Sequence, residues 1–402
     1  MNDILLLKNK IKEYAWGSTS EIASLLGEET PSKNPQAELW MGTHPNAPSE
    51  ALFDSSWIPL ENLIEKYPDD ILGPEVNKKY KGKLPFLFKF LSASQPLSIQ
   101  AHPDAKKAEE GFLKENNLNI ALDAPNRNYK DPFHKPEIIC AITPLLALAG
   151  FRSVEEILSL FSEINSPELQ THTEPLKQNP TSDGLKSMFS NLWSLPKDDQ
   201  IKIINEVCDS AASVQDKNEA YQWIIKLNHF YPGDIGVLSP ILLNLVNLKP
   251  GEALFLPSSE LHSYLGGVGI ELMSNSDNVL RGGLTSKHMD VDELLLALNF
   301  NERKVNTEPY FLNNNQEFSF QSMTDDFCLS IISVSSDSSH ESAENRNVEI
   351  LICTEGKLSI TDLTNNATLP LNKGMSFLIP ASVSKYKIEG DGVAYKASTN
   401  NI

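Results

Sequence analysis

The chain of 402 residues carries 34 lysines and arginines against 53 aspartates and glutamates, a formal net charge of −19 with histidine neutral. That balance argues against a nucleic-acid partner, because affinity for a phosphate backbone rests on cations. With 40% hydrophobic and 22% charged residues the composition is that of an ordinary globular protein, long enough for two or three domains of roughly 100 to 200 residues each.

The opening MNDILLLKNKIKEYAWGS holds an apolar run too short for a signal-peptide core, and no small-residue cleavage site follows it. No stretch approaches about 18 uninterrupted apolar residues, so no membrane span is expected. Cys140, Cys208, Cys328 and Cys353 stand far apart with no CxxC pair, which predicts reduced thiols and a cytoplasmic location.

From about residue 36 to residue 150, short apolar segments are punctuated by Pro, Gly, Ser and Asn, the texture of a β-rich region with few long helices. Lys89 stands inside the apolar run Leu84 to Leu91, where an unpaired charge is costly to bury. It either points into a wet cavity or snorkels outward. The next segment favours the cavity: Leu97, Ile99 and Ala101 fall on one face of an extended strand, and Ser98, Gln100 and His102 on the other. In His134-Lys-Pro-Glu137, Lys135 shares the face of Glu137 if the segment is a strand, or is an exposed loop lysine if it is not.

After Phe151 the apolar spacing changes to threes and fours, in runs opening at Ser153 and Asp199, and a helical block is expected with Ser or Asp as N-caps. The block closes near the turn Tyr231-Pro-Gly-Asp, and a later helix spans Asp290 to Leu298. Beyond the block, Gly251-Glu-Ala-Leu-Phe-Leu-Pro257 and Gly374-Met-Ser-Phe-Leu-Ile-Pro380 share one frame, with His262 and Lys385 each five residues past the proline. This frame resembles the second motif of the cupin superfamily, and its repetition predicts two small jelly rolls. The second copy lacks the histidine, so no metal is expected there.

Gln100, His102, Glu137 and His262 form a candidate metal set. Two imidazoles, a carboxylate and an amide oxygen suit Zn²⁺ with an open position, although ligand type alone also admits Mn²⁺ or Fe²⁺. Glu271, nine residues past His262, is expected to re-enter the cavity on a returning strand, with Asp277 and Arg281 on the loop beyond. Arginine offers a fixed cation for a phosphate or an oxyanion. There is no GxGxxG before a helix and no P-loop, so side chains must hold any phosphate.

Tyr14-Ala-Trp-Gly-Ser, Ala37-Glu-Leu-Trp-Met-Gly-Thr-His-Pro, Ser98-Ile-Gln-Ala-His-Pro, His134-Lys-Pro-Glu and Ser274-Asn-Ser-Asp-Asn-Val-Leu-Arg, in this order, resemble the type I mannose-6-phosphate isomerase family. The resemblance implies a mainly β fold with a helical insertion: two cupin-like jelly-roll β-barrels plus an α-helical domain. The expected divisions are 1–151 together with 236–300 as the metal-bearing catalytic domain, 152–235 as the insertion, and 301–402 as a C-terminal jelly roll without metal. It further implies one zinc per chain on Gln100, His102, Glu137 and His262, and Arg281 as an active-site residue. Trp16, Lys89, His134, Lys135, Glu271 and Asp277 are implied to line the substrate cavity. The family commonly has Arg-Ala-Gly where this chain has Arg281-Gly-Gly, so Gly282 is expected to loosen the loop carrying Arg281.

The implied reaction is the reversible conversion of mannose 6-phosphate to fructose 6-phosphate through an enediol, by a cytoplasmic enzyme expected to be a monomer. It requires a base that moves a proton between C2 and C1, stabilisation of the enediolate, and a cationic pocket for the phosphate. Lys135, Glu271, Asp277 and His134 are all candidate bases, and sequence alone does not choose among them. Two other readings fit a metal cupin: an iron oxygenase, against which the added Gln100 counts, and a sugar-phosphate-binding regulator or storage protein.

Overall fold

The computed structural model describes residues 3–309 and 315–400. Among them are two large antiparallel sheets and a block of helices. In the first sheet the long strand His262–Ser274 is the hub. Its first part pairs with Ile99–Ala101 and Leu145–Phe151, and its second part with Phe86–Ala93 and Glu137–Ala141. One strand therefore runs from one wall of the barrel into the other.

The bend that allows this lies at Tyr264 to Gly267, where the register shifts. Gly267 has φ 118°, and a Cβ there would stand 2.6 Å from the Pro144 carbonyl oxygen, so only glycine fits. The shift also changes parity. Tyr264 and Glu271 are an odd number of residues apart and would face opposite ways on a regular strand, yet both line one cavity and the Tyr264 hydroxyl donates to Glu271. Glu271 thus re-enters on the same strand, bent, and not on a returning one as expected.

The second sheet is built on Glu349–Asp362 and Tyr386–Ser398, paired along most of their length, and it forms the C-terminal jelly roll. Strand pairing crosses the expected domain divisions. Leu5–Lys8 sits between Ser376–Ile379 of the C-terminal jelly roll and Glu50–Phe53, so the N-terminal strand completes the sheet of the other unit. Lys385, at the position matching His262, makes a surface ion pair with Glu341 at 3.1 Å.

The helical block comprises Val154–Ser162, Pro167–Gln178, Ser182–Trp193, Lys197–Val214 and Glu219–Phe230. Ser153 caps the first helix reciprocally with Glu156, as its spacing implies. The run at Asp199 starts earlier than expected: Pro196 precedes the helix, and Asp199 lies in its first turn, where a carboxylate complements the helix dipole. The region 36–150 is more helical than its punctuation suggests, with Ala105–Asn117 and three shorter helices between Leu60 and Tyr80. Prolines and glycine mark those short helices because they start them, Pro68 and Pro74 standing at first-turn positions.

The block packs its core against the barrel wall. Phe189 stacks on Trp193 at 3.8 Å between centroids and meets Phe151 and Phe300 of the barrel. Trp193 donates to the carbonyl of Gly282, and Asp234 accepts from the backbone of Gly236, Leu284 and Thr285. These bonds pin the segment after Arg281. Gly282 is buried, with Leu261 and Ile99 closing in where a Cβ would stand, so the expected loosening is absent. All four cysteines are unpaired.

Candidate active site and metal centre

A cavity of about 600 Å³ opens in the barrel of the first sheet, with Tyr231 at the end of the helical block also lining it. Glu137 lines it, and His102 and His262 converge on that carboxylate, the candidate ligand atoms of the three all within 4.8 Å of one another. All three side chains are buried. The Nε2 of His102 stands 3.2 Å from Glu137 Oε1, and that of His262 stands 3.3 Å from Oε2.

The opposite ring nitrogens fix what these groups are. His102 Nδ1 donates to the Asn278 carbonyl at 2.6 Å, and His262 Nδ1 donates to the Glu260 carbonyl at 3.0 Å. With the ring proton on Nδ1, each Nε2 presents a lone pair to a carboxylate, and both Nε2 atoms and Glu137 Oε2 lack any hydrogen-bond partner. Three buried lone-pair donors facing one another are unfavourable unless a cation lies among them, so the chemistry of the set fits a divalent metal. Burial pushes the His102 imidazole down to about 4, with Lys135 acting in the same direction, so the ring stays neutral as a ligand must. Glu137 is held well below the usual carboxylate range: burial opposes ionisation, and the Lys135 ammonium is the largest influence outweighing it.

Gln100 lies beside this group on Ile99–Ala101, facing the cavity while Ile99 and Ala101 are buried on the other side. It is the registered neighbour of both His262 and Arg281. The alternation read from the sequence therefore places it between the metal group and the arginine.

On the adjoining wall Lys89 is buried, with its Nζ 2.8 Å from Glu271 and 3.5 Å from Glu38. Burial lowers the affinity of Lys89 for its proton, but the two carboxylates more than reverse this, and the ammonium stays charged. Glu271 also accepts from the Tyr264 hydroxyl at 3.0 Å. Its carboxyl is raised, first by burial and then by the charges of Glu137 and Glu38, with Lys89 pulling the other way. Lys135, also buried, lies 3.0 Å from Glu137 Oε1. The buried carboxylates Glu38, Glu137 and Glu271 outnumber the ammonium groups Lys89 and Lys135 by one. A divalent cation reverses that sign and makes the floor attractive to an anion.

Arg281 and Lys287 stand at the mouth with Trp16 and Tyr14. Among the described residues the Arg281 guanidinium makes no hydrogen bond or ion pair. Lys287 is lowered by burial and by the adjacent guanidinium, two cations sharing a rim without an anion between them. Asp277 is exposed at the same rim, 3.0 Å from His44. Burial of its carboxyl is outweighed by that contact, and it is held below its usual range.

His134 is the one expected site residue found elsewhere. Successive residues of extended chain face opposite ways, so Lys135 and Glu137 point inward and His134 points out, to Asp326 of the C-terminal jelly roll at 2.8 Å. Conversely, Glu38 and Tyr264 belong to the cavity and were not singled out from the sequence. Glu38 is signalled by its alternation with Trp40, which donates to it at 2.9 Å. Asn278, also not singled out, binds the backbone of Lys130, Asp131 and Phe133 while its own carbonyl holds His102.

Comparison with known proteins accounts for almost the whole chain. Residues 4–154 match the model of the phosphomannose isomerase type I catalytic domain, residues 160–243 that of its helical insertion domain, and residues 316–396 that of the mannose-6-phosphate isomerase cupin domain. The chain is 39% identical to the mannose-6-phosphate isomerase of Escherichia coli (strain K12), covering 96% of this chain and 97% of that one. It is 34% identical to the Homo sapiens enzyme, with 93% and 92% covered. A solved structure of the Salmonella typhimurium enzyme bound to fructose 6-phosphate and zinc superposes with a TM-score of 0.90 at 35% identity, covering 99% of each chain. Among the described residues no helix is long and apolar enough to cross a membrane.

Proposed function

The chain belongs to the type I phosphomannose isomerases, and from that premise we propose how its own residues interconvert mannose 6-phosphate and fructose 6-phosphate with one zinc ion. The observation that carries the reading is the triplet of buried lone-pair donors, His102, Glu137 and His262, set beneath a cationic cavity mouth. These three hold the metal, with Gln100 as the fourth ligand. Zinc, when bound, supplies Lewis-acid stabilisation of negative charge on a neighbouring oxygen.

The remaining steps fall to the protein. Arg281 and Lys287, at the rim without anionic partners, bind the phosphate and fix the sugar so that C1 and C2 present the same face in each turnover. Glu271, a weaker acid than an ordinary glutamate because of its burial, is the base that takes the carbon-bound proton and returns it to the neighbouring carbon. Lys89 and the Tyr264 hydroxyl orient that carboxylate. Lys135 supplies a fixed positive charge beside the developing enediolate. Asp277, strongly ionised and therefore a poor base, accepts from sugar hydroxyls, and Trp16 covers the ring with its apolar face. The protein works in the cytoplasm, a reading supported by its unpaired thiols and checked by cell fractionation, and it works there as a monomer, which light scattering checks.

A coupled assay with mannose 6-phosphate tests the reading before chelation, after it, and after adding zinc back. Activity lost and restored is the expected result. A folded, zinc-loaded chain that converts no mannose 6-phosphate would overturn it.

A further inference from the structure

The Asp326 carboxylate of the C-terminal jelly roll reaches the outside of the barrel, next to Asp325, which pairs with Lys79 at 2.9 Å. Asp326 Oδ2 accepts from His134 Nε2 at 2.8 Å and from the Ser274 hydroxyl at 2.5 Å, while its Oδ1 accepts from the Tyr80 hydroxyl at 2.8 Å. The turn that presents Asp326 is itself tied down: Asn400 donates from its side chain to the carbonyls of Ser322 and Thr324, and from its backbone to that of Asp325. Burial disfavours the Asp326 charge, but the donors from His134 and Ser274 win, and the group is held below its ordinary range.

The two residues gripped by Oδ2 are placed at a joint. Ser274 ends the hub strand, and its N–H donates to the carbonyl of Pro136, the residue between Lys135 and Glu137. His134 is the residue before Lys135. The next registered pair along the ladder is Met273 with Glu137. Asp326 therefore clamps, from outside, the two chain segments whose inward faces carry Lys135 and Glu137. It also fixes the start of the segment Asn275 to Asp277, which delivers Asp277 to the rim. A side chain shifted by about 1 Å at a reacting centre can cost roughly 100-fold in rate, so a bond outside the cavity can govern turnover inside it.

We propose that Asp326 is a positioning residue for the isomerisation, acting through His134 on Lys135, and that this contact is how the C-terminal jelly roll takes part in catalysis. The inference rests on the isomerase reading.

The test compares Asp326→Ala, Asp326→Asn and His134→Ala in the full-length, zinc-loaded protein, with Tyr80→Phe as the control that removes only the bond to Oδ1. Expected for Asp326→Ala is a fall in kcat of about tenfold or more, with the KM for mannose 6-phosphate within about twofold and the zinc content unchanged. The deuterium isotope effect with [2-²H]mannose 6-phosphate should rise, because the proton transfer itself is slowed. Asp326→Asn keeps an acceptor and should recover part of the rate, Tyr80→Phe should match the parent, and adding Asp326→Ala to His134→Ala should cost little more. A folded Asp326→Ala protein with parental kcat and isotope effect would overturn the inference, and so would full additivity with His134→Ala. If Asp326→Ala does not fold, His134→Ala and Asp326→Asn carry the same two readouts. An inactive parent protein would instead overturn the isomerase reading, so the two failures are distinguishable.

Discussion

The indole N–H of Trp193 donates to the carbonyl of Gly282 at 2.7 Å, one residue beyond Arg281. The donor comes from the helical block and the acceptor from the barrel, so the insertion holds the strand that carries Arg281. Asp234 adds bonds to the backbone of Leu284 and Thr285 from the same side.

Trp193→Phe keeps an aromatic ring against Phe189 but removes the N–H together with part of the indole, so a packing loss adds to that of the bond. The loss of one buried hydrogen bond is worth roughly 1 to 3 kcal/mol, since the Gly282 carbonyl is left without its partner. Thermal melting should show that loss, and steady-state kinetics should show a severalfold lower kcat/KM with zinc content unchanged. Parental kinetics in a destabilised variant would confine the contact to stability.

Arg281→Ala and His262→Ala separate the rim from the metal. The first removes a cation facing the substrate and should lower kcat/KM by about two orders of magnitude or more with one zinc still bound. The second removes a ligand and should lower zinc content and turnover together. Metal analysis beside the kinetics checks both, and a His262 variant with full zinc would take that residue out of the site.

Lys89→Met leaves Glu38 and Glu271 facing each other in the interior without their shared cation. Breaking a buried pair by removing one partner costs about 3 to 5 kcal/mol, which urea unfolding should register. Glu271→Gln in the same background removes one of the stranded charges, so stability should partly return while activity stays lost. Unfolding midpoints that ignore the second change would contradict the pairing.

Acid should destabilise the metal-free protein through His102. Its imidazole, pushed down to about 4 in the folded chain chiefly by burial, regains a value near 6.5 when unfolded. Between those values the unfolded chain binds a proton that the folded chain refuses, so stability is full above about pH 6.5 and falls as the pH drops towards 4. Melting temperatures of the chelated protein across that window should decline, and less so for His102→Gln. An equal decline in both would assign the acid sensitivity to other groups.

Much of the metal centre was legible because it follows from local periodicity. Gln100 and His102 alternate with Ile99 and Ala101, and the apolar pair is buried as the pattern requires. The same rule, applied to His134 beside Lys135, sends His134 away from the cavity, although the family motif groups the two. What was not legible depends on contacts between distant segments. Lys89 and Glu271 are 182 positions apart, and nothing near either one names its partner. The parity change at Tyr264 to Gly267, which lets Tyr264 and Glu271 share a cavity, shows in the sequence only as a pair of glycines. The helices between Leu60 and Tyr80 were hidden by prolines that start them and that read from sequence as breaks.

The strand Leu5–Lys8 is held between Ser376–Ile379 and Glu50–Phe53. During synthesis it leaves the ribosome long before Ser376–Ile379 exists, so one of its two edges must wait, unpaired, until nearly the whole chain has emerged. Such an edge is a template for pairing with another chain. The last sheet to be made is therefore also the one that closes the first, and a nascent chain stalled before Ser376 would carry an open seam of a kind the finished molecule does not have.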